Sequence, residues 1–160
     1  MDKLTFAQRH KNMSHIRSTE TSPEKEIRSA LHRIGFRFRK NDRRLAGCPD
    51  IVLPHYYAAI FVNGCFWHAH GWSGVAGEDS KICSKFHFPK TNQEFWRSKF
   101  MRNKERDKKE IDELIAQGWR VGVVWECSIR GKNRSQKIED VAESITLWLE
   151  EEFDKPFMEF

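Results

Sequence analysis

The chain has 160 residues, enough for one domain with a real core. Its formal net charge of +5, with 32% charged residues, describes a well-solvated protein whose modest basic excess suits a polyanionic partner. No apolar run is long enough to span a membrane, and the polar N-terminus lacks a signal-peptide core, so a cytoplasmic protein is expected. In that compartment Cys48, Cys65, Cys83 and Cys127 stay reduced, which favours thiol or metal chemistry over disulfides.

Residues 1–20 carry Arg9, His10, Lys11, His15 and Arg17 but only scattered apolar groups, Leu4, Phe6, Met13 and Ile16. They are expected to form an arm or short helix lying on a partner, the alternative being a frayed terminus. Ser22-Pro23-Glu24 reads as a helix start, with Ser22 as the cap. Ile27, Leu31 and Ile34 recur at helical spacing until Gly35 stops the helix. Phe36 and Phe38 alternate with Arg37 and Arg39 at strand spacing. Ile51-Val52-Leu53 and Ala58 to Val62 read as two further strands, and the glycines of 71–81 as a flexible loop. A long charged helix is expected from about Asn92 to Gln117, then a strand at Val121 to Trp125. A last helix carries Ile138, Val141, Ile145 and Leu149 on one stripe. The sum is an α/β domain over 21–152 with a mixed sheet flanked by helices, followed by a tail at 153–160. Short connections favour antiparallel pairing early, and the long helix favours parallel pairing later.

Three constellations could carry chemistry. Gly47-Cys48-Pro49-Asp50 puts a carboxylate at the start of an apolar strand, where it could hold a hard divalent cation such as magnesium. The plainer use of Pro-Asp is a turn aspartate bonding nearby amides. If the strands are neighbours, His68 converges on Asp50 and could act as general base, although a surface or metal-ligating histidine reads the same way. Cys65, His70, Cys83 and Cys127 make a Cys3His set that suits tetrahedral zinc, with His87 competing for a ligand position; buried thiols also pack simply as hydrophobes. Phe66 and Trp67 could stack on bases or close over the core. On the long helix Asp107 could orient a histidine if its face turns toward the sheet.

Taken together these residues resemble the Vsr family, the very-short-patch-repair mismatch endonucleases. The motifs that carry the resemblance run from about Lys11 to about Leu149: Lys11-Asn12-Met13, Gly47-Cys48-Pro49-Asp50, Asn63-Gly64-Cys65-Phe66-Trp67-His68, Glu94-Phe95-Trp96, Glu105-Arg106-Asp107, Gly118-Trp119-Arg120 and Trp125-Glu126-Cys127. The resemblance implies a restriction-endonuclease-like fold with a structural zinc site. It implies magnesium-dependent nicking of one strand of duplex DNA, 5′ to the thymine of a T:G mismatch, by a monomer that serves repair together with other repair proteins. On that template Asp50 ligates magnesium, with the backbone carbonyl of Val62 as a further contact. His68 is the catalytic histidine, Asp107 its supporting acid, and Glu24 a glutamate near the active site. Cys65, His70, Cys83 and Cys127 are the zinc ligands, and Met13, Phe66 and Trp67 intercalate beside the mismatch. The chain departs from the pattern where the 71–81 loop separates His70 from Cys83, where Asn63 stands in place of a histidine, and where Cys48 replaces a residue that is often basic. Val62-Asn63-Gly64 also lacks the acid-x-lysine pair of restriction enzymes, so the chemistry is expected to lean on His68. The other readings of the same residues are a restriction-type enzyme acting on intact duplex and a zinc-containing DNA-binding module without catalysis.

Overall fold

A computed structural model describes residues 5–151 and 155–160. Residues 1–4 of the expected arm, and 152–154 at the expected boundary between domain and tail, lie outside the described residues.

Helix α1 (Phe6–Ser14) buries none of its residues. Local bonds hold its first turn instead: the Gln8 amide donates to Thr5 Oγ1 at 3.2 Å, and the Thr5 amide donates back to Gln8 Oε1 at 2.8 Å. Helix α2 (Ser22–Ile34) has Pro23 in its first turn and buries Ile27, Ala30 and Leu31. Its cap is Thr21 rather than the expected Ser22. Neither hydroxyl caps an amide; Thr21 donates to Glu24 Oε1 and Ser22 to Glu26 Oε1.

Gly35 ends α2 at φ 118°, a conformation that favours glycine, and the Phe36 amide donates back to the Leu31 carbonyl. That bond occupies Phe36 in the helix terminus, which is why the strand expected around Phe36–Phe38 begins only at β1 (Arg39–Lys40). Strands β2 (Ile51–Leu53), β3 (Ala58–Asn63), β4 (Arg120–Trp125) and β5 (Phe157–Glu159) complete a sheet in the order β1-β2-β3-β4-β5. The first two pairings are antiparallel and the last two parallel. The expected tail at 153–160 therefore supplies an edge strand; its register against β4 pairs Gly122 with Met158.

Alternation along β3 decides which face each residue serves. Ala58 and Ile60 join Ile27, Leu31, Ile145 and Trp148 in the core beneath α2 and α5 (Arg134–Glu150). Ala59 and Phe61 face Leu114, Ile111 and Ile115 of α3 (Gln93–Ala116). Short helix α4 (Glu126–Ile129) follows β4 directly. Because β3 and β4 are parallel, with Asn63 opposite Trp125, both release their following segments at the same end of the sheet. A third core cluster of Cys65, Trp72, Phe86, Phe88 and Phe100 fills that end.

Candidate active site and metal cluster

Register brings Asp50 to this end of the sheet. Ile51 pairs with Ile60, so Asp50 lies beside Phe61 and Val62, and the Val62 amide donates to Asp50 Oδ2 at 2.7 Å. Burial pushes the Asp50 carboxyl up to about 7; the negative charge of Glu24 adds to this, while the Val62 amide, Arg28 and His68 pull it back. Glu24 is 2% exposed, and both of its carboxylate oxygens are held, by the Glu20 amide and the Thr21 hydroxyl, at 2.8 Å each. The charge of Glu24 thus disfavours ionisation of Asp50, and a cation beside Asp50 would offset that cost. The oxygen donors of these two carboxylates fit a hard divalent ion.

His68 lies in the turn after β3, its amide bonded to the Gly64 carbonyl. Its Nδ1 meets Asp107 Oδ2 at 2.5 Å. Asp107 is positioned by α3, and its other oxygen accepts from Arg106 at 3.0 Å. Burial raises the Asp107 carboxyl, but its bonds to His68 and Arg106 outweigh that and hold it below the usual value. With Nδ1 donating to Asp107, Nε2 of His68 carries the lone pair a base needs. His68, Glu24, Val62 and Trp67 line one cleft of about 440 Å3, together with Met13, Ile16 and Arg17 from α1 and the residues after it. A smaller cavity of about 140 Å3 also borders His68 and is lined by Gly47, Asn63, Asp107 and Glu110.

Beyond the ends of β3 and β4, ligand atoms of Cys65, His70, Cys83 and Cys127 all lie within 4.8 Å of one another. His70 Nδ1 is 3.7 Å from Cys65 Sγ and 3.4 Å from Cys127 Sγ, and the His70 ring stacks on Trp125 at 3.9 Å. A tetrahedral zinc with sulfur ligands has ligand–ligand edges of about 3.8 Å, so the cluster has the right size and donors for such an ion. Burial pushes the Cys65 and Cys127 thiols up; the bond with Cys65 pulls Cys127 back, while Cys83 adds to the rise in both. This cluster could hold a metal, and a bound cation would relieve that cost. The loop delivers Cys83 through Ser80, whose Oγ accepts from the Cys83 amide. His87 is exposed and pairs with Asp79 at 3.0 Å outside the cluster, and half-buried Cys48 also stays apart from it.

Phe66 and Trp67 are half-buried and touch each other edge to face at 5.1 Å. Phe66 also packs on Trp96 and Phe100, each at 5.3 Å. Several residues here escaped the sequence reading. Lys99 Nζ sits over the rings of Trp67, Phe95 and Trp96, and Asn103 donates to the Trp67 carbonyl at 2.8 Å. The signal for Lys99 was its spacing, three and four residues after Trp96 and Phe95 on one helix face. Glu20 and buried Arg28 carried no such signal.

Comparison with known proteins gives the family of the chain. The family model for DNA mismatch endonuclease Vsr matches residues 1–74. The DNA mismatch endonuclease Vsr of Escherichia coli (strain K12) is 41% identical over 150 residues, covering 94% of this chain and 84% of its own. Type II nicking enzyme V.NmeAIP of Neisseria meningitidis serogroup A is 44% identical over 131 residues, covering 82% of this chain and 86% of its own. Type II nicking enzyme V.XorIIP of Xanthomonas oryzae pv. oryzae is 41% identical over 128 residues, covering 80% and 86%. Such relatives support DNA endonuclease activity for this chain. The chain belongs to the Vsr family of DNA mismatch endonucleases. No described helix is long and apolar enough to cross a membrane.

Proposed function

We propose that this protein nicks one strand of duplex DNA 5′ to the thymine of a T:G mismatch, with magnesium as its catalytic cofactor, in very-short-patch repair. The observation that carries this reading is the 2.5 Å bond between His68 and Asp107 on a cleft that Glu24 and Val62 also line. Such a bond orients an imidazole so that its other nitrogen can serve as a base, an arrangement that a DNA-binding module without catalysis does not require.

In this reading Asp50 and the backbone carbonyl of Val62 hold the magnesium, with Glu24 beside them. When bound, magnesium supplies neutralisation of charge on the scissile phosphate and orientation of the attacking water. His68 Nε2 takes a proton from that water as its oxygen bonds to phosphorus and a phosphorus–oxygen bond of the strand breaks. Asp107 keeps the imidazole oriented and balances the charge it gains. Met13, Phe66 and Trp67 form the wedge beside the mismatch. Opening a weakly stacked T:G pair costs less than opening a sound pair, which gives a physical basis for selectivity. Residues 1–20 serve as the DNA-contacting arm of a monomer that hands its nicked product to other repair proteins. Cys65, His70, Cys83 and Cys127 hold a structural zinc that ties the 71–83 loop to the ends of β3 and β4.

Asp50→Asn and His68→Ala test the assignment. Each should abolish nicking while the protein stays folded, with no fall in melting temperature beyond a few degrees. Nicking at the parent rate by either variant would overturn that residue's role.

A further inference from the structure

Glu20 stands between α1 and α2 at φ 58°, a left-handed conformation that non-glycine residues keep only where their surroundings enforce it. The surroundings here are specific. Its Oε1 receives Arg28 Nη2 at 3.1 Å, Asn41 Nδ2 at 3.3 Å and Lys40 Nζ at 3.5 Å. Arg28 is only 5% exposed. One carboxylate therefore joins the interhelical linker, helix α2 and the end of β1.

Both of its neighbouring contacts lead to the acidic pair. The Glu20 amide donates to Glu24 Oε2 at 2.8 Å, and the Asn41 amide donates to the Asp50 carbonyl at 3.3 Å. The charge of Arg28 also acts on Asp50. On the N-terminal side of Glu20 the chain leads back to α1, which buries no residue, and to Met13, Ile16 and Arg17, which line the same cleft as Glu24. Glu20 is the anchored point between that helix and Glu24.

We propose that Glu20 is a positioning residue: pinned by Arg28, Lys40 and Asn41, it fixes the linker so that Glu24 is held toward Asp50 while the arm is seated on DNA. This rests on the reading of Glu24 and Asp50 as the metal-side carboxylates. Glu20 touches neither the phosphate nor the reacting water.

The test uses full-length Glu20→Ala and Glu20→Gln beside Asp50→Asn. The readouts are the single-turnover nicking rate on a saturated T:G duplex, the DNA dissociation constant with magnesium withheld, and the melting temperature. Misplacing a catalytic group by a fraction of an ångström costs on the order of tenfold to a hundredfold, so Glu20→Ala should slow nicking of bound DNA by that factor. Its affinity should change by less than about threefold, because DNA affinity comes chiefly from phosphate contacts, which Glu20 does not make in this reading. Glu20→Gln keeps the acceptor for Arg28 and Asn41 and should recover most of the rate. Parent-rate nicking by Glu20→Ala overturns the proposal. So does a loss of rate, affinity and melting temperature together that Glu20→Gln does not restore. Full activity in Asp50→Asn would defeat the reading of the site itself, whereas an inactive Asp50→Asn beside a fully active Glu20→Ala would defeat only the role of Glu20.

Discussion

His68 and Asp107 are separated by 39 residues of chain, yet Nδ1 of one and Oδ2 of the other approach to 2.5 Å. One comes from the turn after β3 and the other from α3, so the sheet and the long helix must dock correctly before the pair exists. Arg106 takes the second Asp107 oxygen, which leaves the carboxylate little freedom to turn away. The bond sets the tautomer of His68, and with it the atom that can accept a proton.

Replacing Asp107 by Asn keeps the shape and removes the charge. The nicking rate should fall on the order of a hundredfold, the usual size of a general-base contribution, while DNA affinity and melting temperature stay near the parent's. A single-turnover assay checks this, and an unchanged rate would mean that His68 works without its partner.

Asp50 makes stability depend on pH. Its carboxyl is raised to about 7 in the fold, chiefly by burial, whereas in the unfolded chain it titrates near about 4. Between those values the native state binds the extra proton, so stability is full below about pH 4 and falls as pH rises toward 7. The loss is on the order of 2–4 kcal/mol. Melting curves at pH 5 and pH 8 without added magnesium should show it. Asp50→Asn should flatten the difference, and added magnesium should offset it at pH 8. A parent protein equally stable at both pH values would refute the burial argument.

Cys65→Ser and Cys127→Ser should each lose bound zinc and lower the melting temperature by about 10 °C or more, since metal binding to such a cluster is part of the folding free energy. Elemental analysis of the purified protein and thermal melts measure both effects. An unchanged melting temperature in either variant would leave the thiols as mere packing groups.

Gly47 sits at φ 72°, and a Cβ there would lie 2.6 Å from Glu110 Oε2 and 3.0 Å from the Phe61 ring. Gly47→Ala should therefore cost about 1–3 kcal/mol from backbone strain and crowding. It should also slow nicking, because the same turn carries Asp50. Denaturant unfolding checks the first effect, and a variant as stable as the parent would contradict it.

Much of the helical framework could be read from the chain. The stop at Gly35 and the extent of α3 follow from local chemistry, glycine in a left-handed cap and a long run without breakers. The chemistry-bearing residues Asp50 and His68 stood out because their types are unusual beside apolar strands. What stayed hidden depends on distant partners. Strand β5 is short and mostly exposed, follows Pro156, and has no alternation to announce it; β4 alone makes it a strand. Phe36 has strand spacing, but the Leu31 carbonyl claims its amide. Cys83 could join the other ligands only because Ser80 and the packing of Phe86 turn the loop back to them. No sequence pattern marks Glu20, and only the fold gathers Arg28, Lys40 and Asn41 around it.

The most direct test of mismatch nicking is a strand-resolved cleavage assay on duplexes that differ only in carrying a T:G or a C:G pair, with magnesium or with EDTA. The site described here predicts a single nick 5′ to the thymine, in the T:G duplex alone and only with magnesium. Cleavage of the matched duplex, or binding of both duplexes without any nick, would contradict it.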